Sequence, residues 1–558
     1  MIIGLDMGGT NVDAVLLHDG EIIEAIKSPT DYTNLLDSVW EPLRLLISKA
    51  RASQIKRIIL STTISTNAII EQKIDPVGMI IQCGPGLQKD FLCCGKKNVF
   101  ISGYIDHRGK EISPLDTREI EQVVKDFKEE GISAVSVTGK FSVRNGKHEI
   151  NIYNMLKDRF HPITLGHTLS GKLNFPRRVF TSFYNSAVSS TFHRFSENIL
   201  KALKREKIYV PIFILKADGG TMSLEFGNKQ PVQTILSGPA ASVMGGQAFL
   251  STNKDAVFLD IGGTTTDISF LANGVPLFEP LGIKIGAFPT LVRALYSASI
   301  GVGGDSQVSI KDNKILIGPK RQGPPRALGG LSVTPTDAMI FLGTINAGDR
   351  HKAIAAMEEI GDQLGIDPRT AANLILDTMV DMIKDKVDDL LKKINSRPVY
   401  TVKELLYGKK VLPELIQVIG GPAQAMAPIL REKFNIPCLY PKNYQLANAV
   451  GSALAKNTLE ISMFVDTVSG RLSVPELGLF ETVHKTYSLE EARKYALNLI
   501  NEMTLLGEKP DESEAEIIEE NSFNMVRGFS TSGKNMRIRA QTKPGLIYEL
   551  RSDKNVIC

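Results

Sequence analysis

Cysteine is scarce in this 558-residue chain: Cys83, Cys93, Cys94, Cys438 and Cys558 are an odd number with no C-x-x-C pair. The adjacent Cys93 and Cys94 are awkward to bridge, so a disulfide framework is excluded and reduced thiols in a cytoplasmic protein are expected. No uninterrupted apolar run reaches about 18 residues, and the start lacks a basic region followed by an apolar one. Neither export nor membrane spanning is therefore expected. Excess charge is missing too: 65 Lys+Arg against 61 Asp+Glu leave a formal net charge of +4, which gives no electrostatic reason to bind nucleic acid or a membrane surface. No glycine loop continues into G-K-[ST], which excludes a Walker loop.

What is present is enough apolar residue, 43%, for several cores, and a length that exceeds one. The opening reads as a meander, "MIIGLDM", "VDAVLLHD" and "EIIEAIKS", with "GG" and "DG" at its turns. Helical spacing follows between roughly Thr33 and Ala52, and then the strand "IKRIILSTT". "PVGMIIQCG" is a buried strand, "DTREIEQVVKDFKEEG" an acid-started amphipathic helix and "ISAVSVTG" another strand, an order that predicts an α/β fold with a mainly parallel sheet. The second half has long helical stretches, including "PRTAANLILDTMVDMIKDKVDDLLKKI". From about Leu459 short alternating runs predict a small separate α+β tail.

One phrase occurs twice. "DMGGTNVD" (Asp6 to Asp13) follows an apolar strand, and "DIGGTTTD" (Asp260 to Asp267) follows "AVFL". Each lies between apolar strands, and the second leads to a tight "NG" turn. A separation of this length is no solenoid period, so the repeat predicts two homologous α/β lobes facing one another. A glycine pair after a strand lets successive N–H groups point at an anion, and the Thr hydroxyl adds a donor. Such a loop suits phosphate. The acid at the strand's end would repel phosphate unless a divalent cation lay between them, which suits Asp6 and Asp260 to holding Mg²⁺ or its waters. A single D-x-G-G-T is an ordinary hairpin; two at equivalent points make a clamp on the β- and γ-phosphates. Asp13 and Asp267 are expected to orient their own loops. In "LIQVIGGPAQAMAPIL", Gly420 and Gly421 allow close approach of a flat ligand such as adenine or its ribose, although alone they read as an ordinary strand-to-helix turn.

In this order these elements resemble the acetate and sugar kinase/Hsp70/actin superfamily, and more closely the hydantoinase A/5-oxoprolinase family. The resemblance rests on "IGLDMGGTNVDAVLL", "STTISTNAIIE", "LKADGGTMS", "PVQTILSGPAASVMGG", "LDIGGTTTDIS" and "IGPKRQGPPRALGGLSVTPTDAMIFLG", which span most of residues 1 to 455. It implies an α/β fold of two ribonuclease H-like lobes of the actin/Hsp70/sugar kinase type around an ATP cleft, plus a small C-terminal α+β region. The implied division is 1–180, 181–458 and 459–558. "STTISTNAII" would form the first interdomain connection and "LANAVGSALA" the second. ATP and Mg²⁺ are the implied cofactors. The implied activity is ATP-dependent ring opening of a cyclic amide such as a hydantoin or 5-oxoproline, by phosphorylation of the amide carbonyl oxygen. The family often works with a B-type subunit; a homo-oligomer is also open.

The implied site has Asp6, Gly8, Gly9, Thr10 and Asn11 in one phosphate loop and Asp260, Gly262, Gly263, Thr264 and Thr265 in the other. Gly303 and Gly304 belong to a further glycine loop, Gly420 and Gly421 would seat adenosine, and Asp267 or Asp305 would assist the chemistry. Departures fall elsewhere: Leu60-Ser61 stand where the family has His-Gly, Asp305 where it has glycine, Met426 where it has histidine, and the acid of a Glu-Arg pair near "FPRRVFTSFYN" is missing. Asp305 has two readings, a general base or second Mg²⁺ anchor and a cap on the following segment. Arg177 and Arg178 suit an acidic substrate, or are a solvated pair. His161 and His167 read as surface imidazoles, Cys93 and Cys94 as packing residues, and the acidic run near Glu514 as a solvated helix face. Two other functions use the same clamp: an ATP-gated switch or reactivating chaperone, and a small-molecule kinase.

Overall fold

A computed structural model describes residues 1–8, 11–31, 35–50, 54–250, 252–396, 410–504, 515–550 and 555–557. The chain opens with β1 (Ile2–Met7), β2 (Asn11–His18) and β3 (Glu21–Pro29) as an antiparallel meander, and β4 (Arg57–Thr62) lies parallel to β1. Asp19 and Gly20 turn β2 into β3 with left-handed φ at both positions, as a tight hairpin requires. The chain then leaves this sheet. β5 (Val77–Gln82), β6 (Lys97–Phe100), β7 (Ala134–Gly139) and β8 (Ile163–Leu165) build a separate, wholly parallel sheet in the order β8-β7-β5-β6. The helix read in "DTREIEQVVKDFKEEG" is Thr117–Glu129, capped by Asp116, whose carboxylate accepts from Arg118 N–H.

The 31-residue helix α1 (Phe175–Arg205) carries the chain back. β9 (Ile212–Leu215) and β10 (Thr221–Ser223) then extend the first sheet to the order β10-β9-β4-β1-β2-β3. The division between residues 180 and 181 implied by resemblance falls inside α1. Sequence order does not reveal it, because the strands on either side of the excursion pair with each other.

α2 (Ser237–Phe249) leads into a second sheet of β11 (Ala256–Ile261), β12 (Thr266–Ala272), β13 (Val275–Pro276) and β14 (Ser297–Ile300). α3 (Pro335–Leu342) and α4 (Pro368–Asn395) follow, then β15 (Leu415–Ile419), α5 (Ala423–Phe434), β16 (Cys438–Pro441) and α6 (Ala447–Leu454). β11, β12 and β13 are antiparallel while β15 and β16 run parallel to β11. That repeats the pattern of β1, β2, β3, β4 and β9. Register repeats as well: Asp6 faces Asp13 across the first hairpin and Asp260 faces Asp267 across the second.

α2 and α6 pack on each other; α2 lies against strands of both sheets and α6 against β1, β2 and β4 of the first. Their approach depends on missing side chains: a Cβ on Gly245 would stand 2.2 Å from the Ala447 carbonyl oxygen, and one on Gly451 2.2 Å from the Gly245 nitrogen. The "LANAVGSALA" stretch therefore supplies one of the two crossing helices. "STTISTNAII" does not supply the other. It ends β4 and begins a short helix toward the inserted sheet, and the partner of α6 is α2, from "SGPAASVMGGQAF".

The C-terminal part is an antiparallel sheet of β17 (Glu460–Asp466), β18 (Arg471–Val474), β19 (Leu479–Thr482), β20 (Ala515–Arg527) and β21 (Ser530–Thr542), with α7 (Leu489–Thr504) against it. Two expectations change here. The acidic run continues as β20 from Ala515 instead of a helix face; Glu514 itself lies outside the described residues. The tail is also not wholly separate, because β22 (Asn555–Ile557) pairs with β16 of the second sheet.

Candidate functional site

The two glycine hairpins close in the same way. Gly8 N–H donates to the Asn11 carbonyl at 3.0 Å, and Gly262 N–H to the Thr265 carbonyl at 2.9 Å. Gly9 and Thr10 lie outside the described residues. In the second loop, the carbonyls of Gly262 and Gly263 accept from the N–H groups of Gly304 and Asp305 at 2.9 and 2.6 Å. The "GVGGDS" stretch is thus a second layer beneath the loop, and it packs without a gap: a Cβ on Gly303 would stand 2.6 Å from the Gly262 oxygen.

Each hairpin puts a carboxylate at the end of a central strand. Asp6 is 5% exposed, and its Oδ1 has no hydrogen-bond partner among the described residues. Burial first, then the charges of Asp13 and Asp260, push its carboxyl up to about 7, against the pull of Ser61 and Asn448. Asp260 is held differently: its Oδ2 accepts from Ser242 Oγ at 2.6 Å and from Asn448 Nδ2 at 3.2 Å. Asn448, on α6, thus lies beside the carboxylates of both hairpins, and Ser242, on α2, reaches the second. Neither was singled out in the sequence. A lone Ser and a lone Asn on small-residue helices carry no signal until the helices are crossed.

The facing acids differ from one another. Asp13 is ion-paired to Lys27 at 3.1 Å, although burial still raises its carboxyl. Asp267 has no such cation; burial and the Asp260 charge push it up to about 6, opposed by a hydrogen bond from Ser299. Asp305 is tied to Arg321 Nη2 at 3.0 Å and to Thr336 Oγ1, in the first turn of α3, at 3.2 Å. Burial raises its carboxyl and Arg321 opposes that. Arg321 Nη1 also reaches Thr264 Oγ1 at 3.4 Å, so Asp305 positions a guanidinium against the second glycine loop.

Gly420 follows β15, with a φ of +90° that favours glycine. A Cβ there would meet the Ile261 oxygen at 2.3 Å and Asp260 Oδ1 at 2.6 Å. Gly421 faces open space. The glycine turn at 420–421 therefore adjoins the second hairpin. The start of α2 is tied to the first sheet's end: Leu236 N–H donates to Thr66 Oγ1 at 3.0 Å and Ser237 Oγ to the Thr62 carbonyl at 3.1 Å. Leu236 adopts a φ of 65°, a strained conformation for a leucine.

A divalent cation fits the donors present. A buried carboxylate oxygen with no partner, beside a second carboxylate, gains most from a cation between the two. Among the described residues no group of three or more His, Cys, Asp or Glu could hold a metal. Mg²⁺ suits such a place because it keeps waters and is bound through one or two carboxylates plus phosphate oxygens.

Other candidates stand elsewhere. Arg178 is fully buried, donating to the carbonyls of Lys172, Gly139 and Lys140, and Arg177 donates to those of Leu281, Gly282 and Thr290. They are backbone clamps at the start of α1, not a solvated pair. His167 is no surface imidazole: it is 1% exposed, with Nδ1 2.6 Å from the buried Glu149. Cys93 is exposed and Cys94 half-buried, so Cys93 is not a packing residue. No described helix is long and apolar enough to cross a membrane.

The hydantoinase/oxoprolinase family model matches residues 178–461, and the model of the hydantoinase/oxoprolinase N-terminal region matches residues 2–160. The caprolactamase subunit alpha of Pseudomonas jessenii is 26% identical over 422 residues, 66% of this chain and 60% of that protein. The 5-oxoprolinase 1 of Arabidopsis thaliana is 22% identical over 406 residues, 61% of this chain and 31% of that protein. The matched region thus spans less than two thirds of these relatives' own length. Among solved structures, nucleotide-free acetone carboxylase has a TM-score of 0.71 at 15% identity, covering 99% of this chain and 88% of its own. The ATP-dependent caprolactamase from Pseudomonas jessenii has a TM-score of 0.67 at 20% identity, covering 97% and 87%. These likenesses establish a shared fold, and the two matching family models establish that this chain belongs to the hydantoinase/oxoprolinase family.

Proposed function

We propose that this chain is the ATP-consuming component of a cyclic amidohydrolase, built as two ribonuclease H-like lobes of the actin, Hsp70 and sugar kinase type. The observation that carries the reading is the paired hairpins, whose strand-end carboxylates Asp6 and Asp260 come together beside Asn448. The loops 8–11 and 262–265 grip the β- and γ-phosphates of ATP, Gly303 and Gly304 brace the second loop, and Gly420 and Gly421 seat the adenosine. Asp6 and Asp260 hold Mg²⁺, which when bound neutralises phosphate charge.

The substrate is an unactivated cyclic amide, a class that supports the use of ATP. Amide resonance makes the carbonyl carbon a poor electrophile. Transfer of the γ-phosphoryl group to the carbonyl oxygen, with ADP leaving, removes that resonance; water then adds to the carbon, the ring nitrogen takes a proton as the C–N bond breaks, and hydrolysis of the resulting acyl phosphate releases phosphate and the open-chain amino acid. The chain's work is positioning and charge stabilisation. Asp267, with a carboxyl near 6, is suited to accept a proton near neutral pH, and Asp305 acts through Arg321. One relative is described as a subunit alpha, which supports a B-type partner that completes ring opening.

The test is ATP hydrolysis by the purified chain with Mg²⁺, alone and with a co-purified B-type subunit, across 5-oxoproline, hydantoins and lactams, with Asp260→Ala as control. Lactam-stimulated turnover that the variant lacks supports the reading. Stoichiometric phosphorylated product without amide cleavage, in the presence of the second subunit, replaces it with a kinase. Lactam-independent turnover coupled to protein binding replaces it with a switch.

A further inference from the structure

A cavity of about 770 Å³ lies away from the paired hairpins, and no residue of either glycine loop or of Gly420–Gly421 lines it. Its walls are β10 with the helix Leu224–Lys229, the later part of α1, and the segment that enters the C-terminal sheet. Its volume falls in the range of sites that enclose small ligands. Most of the wall is hydrocarbon, including Leu200, Met222, Leu224 and Phe226.

The charged groups on that wall are nearly all used. Lys216 Nζ is 3.2 Å from Asp218 and donates to the Thr458 carbonyl at 2.9 Å. Lys229 pairs with Glu225 at 3.3 Å. Arg293 pairs with Glu460 at 2.9 Å, and Glu460 is held a second time by Arg539 at 2.6 Å. Glu476 accepts from the N–H groups of Gly171 and Ser462 at 2.7 and 3.2 Å. Lys172 is the exception. Its half-buried ammonium lines the cavity and makes no hydrogen bond or ion pair among the described residues.

Burial holds the Lys172 amine below its ordinary range, with Arg539 and Arg293 adding to the effect and Glu460 and Glu476 opposing it. A desolvated cation without a counter-ion is stabilised by any anion that reaches it. We propose that this cavity is a second ligand site, for a small amphipathic carboxylate whose acid group pairs with Lys172 and whose hydrocarbon body lies along Leu200, Met222, Leu224 and Phe226. The site is distinct in place from the proposed nucleotide site, since no residue of either glycine loop or of Gly420–Gly421 lines it.

The test is calorimetric titration of the full chain with sodium octanoate, with octanol and inorganic phosphate as probes lacking the charge or the apolar body. Octanoate binds at one site per chain, and each control binds at least ~10-fold more weakly. Lys172→Met weakens octanoate at least ~10-fold, while Lys172→Arg stays within roughly 3-fold. Leu200→Glu, at an exposed rim position, weakens it without touching Lys172 and guards against misfolding of the Lys172 variants. Saturating Mg·ATP and Asp260→Ala leave the affinity unchanged. The proposal is overturned by no saturable binding up to about 10 mM, by equal affinity for octanol, by an unchanged affinity in Lys172→Met, or by competition with nucleotide.

Discussion

Substituting asparagine for Asp6 separates the site's need for charge from the fold's tolerance of it. In the unfolded chain this carboxyl titrates near its ordinary 3.8, whereas in the folded protein, without nucleotide, burial raises it to about 7. Between those values the folded state holds a proton that the unfolded state has released. Stability therefore falls as pH rises through this window, and the full loss is present above about pH 7. At about 1.4 kcal/mol per pH unit, ionised Asp6 destabilises the free protein by ~4 kcal/mol at pH 8. Asp6→Asn cannot ionise. It should exceed the wild type at pH 8 by about 2–4 kcal/mol and match it within about 1 kcal/mol at pH 4, while losing ATP turnover. Urea unfolding from pH 4 to 9, without magnesium or nucleotide, measures this directly. Some pH slope remains in the variant because Asp267 is raised in the same direction. A variant less stable than wild type at pH 8, or one with an undiminished pH slope, would refute the reasoning.

Gly245→Ala places a methyl group 2.2 Å from the Ala447 oxygen; the helices must part, and thermal unfolding should show a loss of about 2–4 kcal/mol. Asn448→Leu removes the amide that donates to Asp260, so ATP turnover should drop ~10-fold or more while the melting temperature changes little. Asp305→Ala releases Arg321 from a half-buried pair; stability should fall by about 1–2 kcal/mol, and the KM for ATP should rise, because the guanidinium beside Thr264 is no longer held.

The hairpins were readable because their information is local: an apolar strand, a glycine pair and an apolar strand determine their own pairing, and Asp6–Asp13 and Asp260–Asp267 follow from register. The helix capped by Asp116 was readable for the same reason, the acid accepting from a first-turn N–H of its helix. What was not readable depends on contacts distant in sequence. Ser242 and Asn448 matter only because α2 and α6 cross. Arg178 resembles a surface residue until its three carbonyl partners, contributed by two segments, surround it. The strand at Ala515 begins inside an acidic run whose composition suits a solvated helix, and β21 overrides that preference by pairing along its length.

The excursion between β4 and β9 also governs the order in which the molecule can assemble. These strands are hydrogen-bonded neighbours, yet 150 positions separate Thr62 from Ile212. Closing so long a loop in an unstructured chain costs about 4 kcal/mol plus a constant before any pairing compensates. The parallel sheet of β5 to β8, with α1 laid across it, removes most of that cost if it forms first, because its exit and entry points then arrive already together. The first glycine hairpin can form early from contacts within the first 29 residues. Its supporting sheet waits for the insertion, which makes the inserted unit a template for the sheet that carries the first hairpin as well as a neighbour of it.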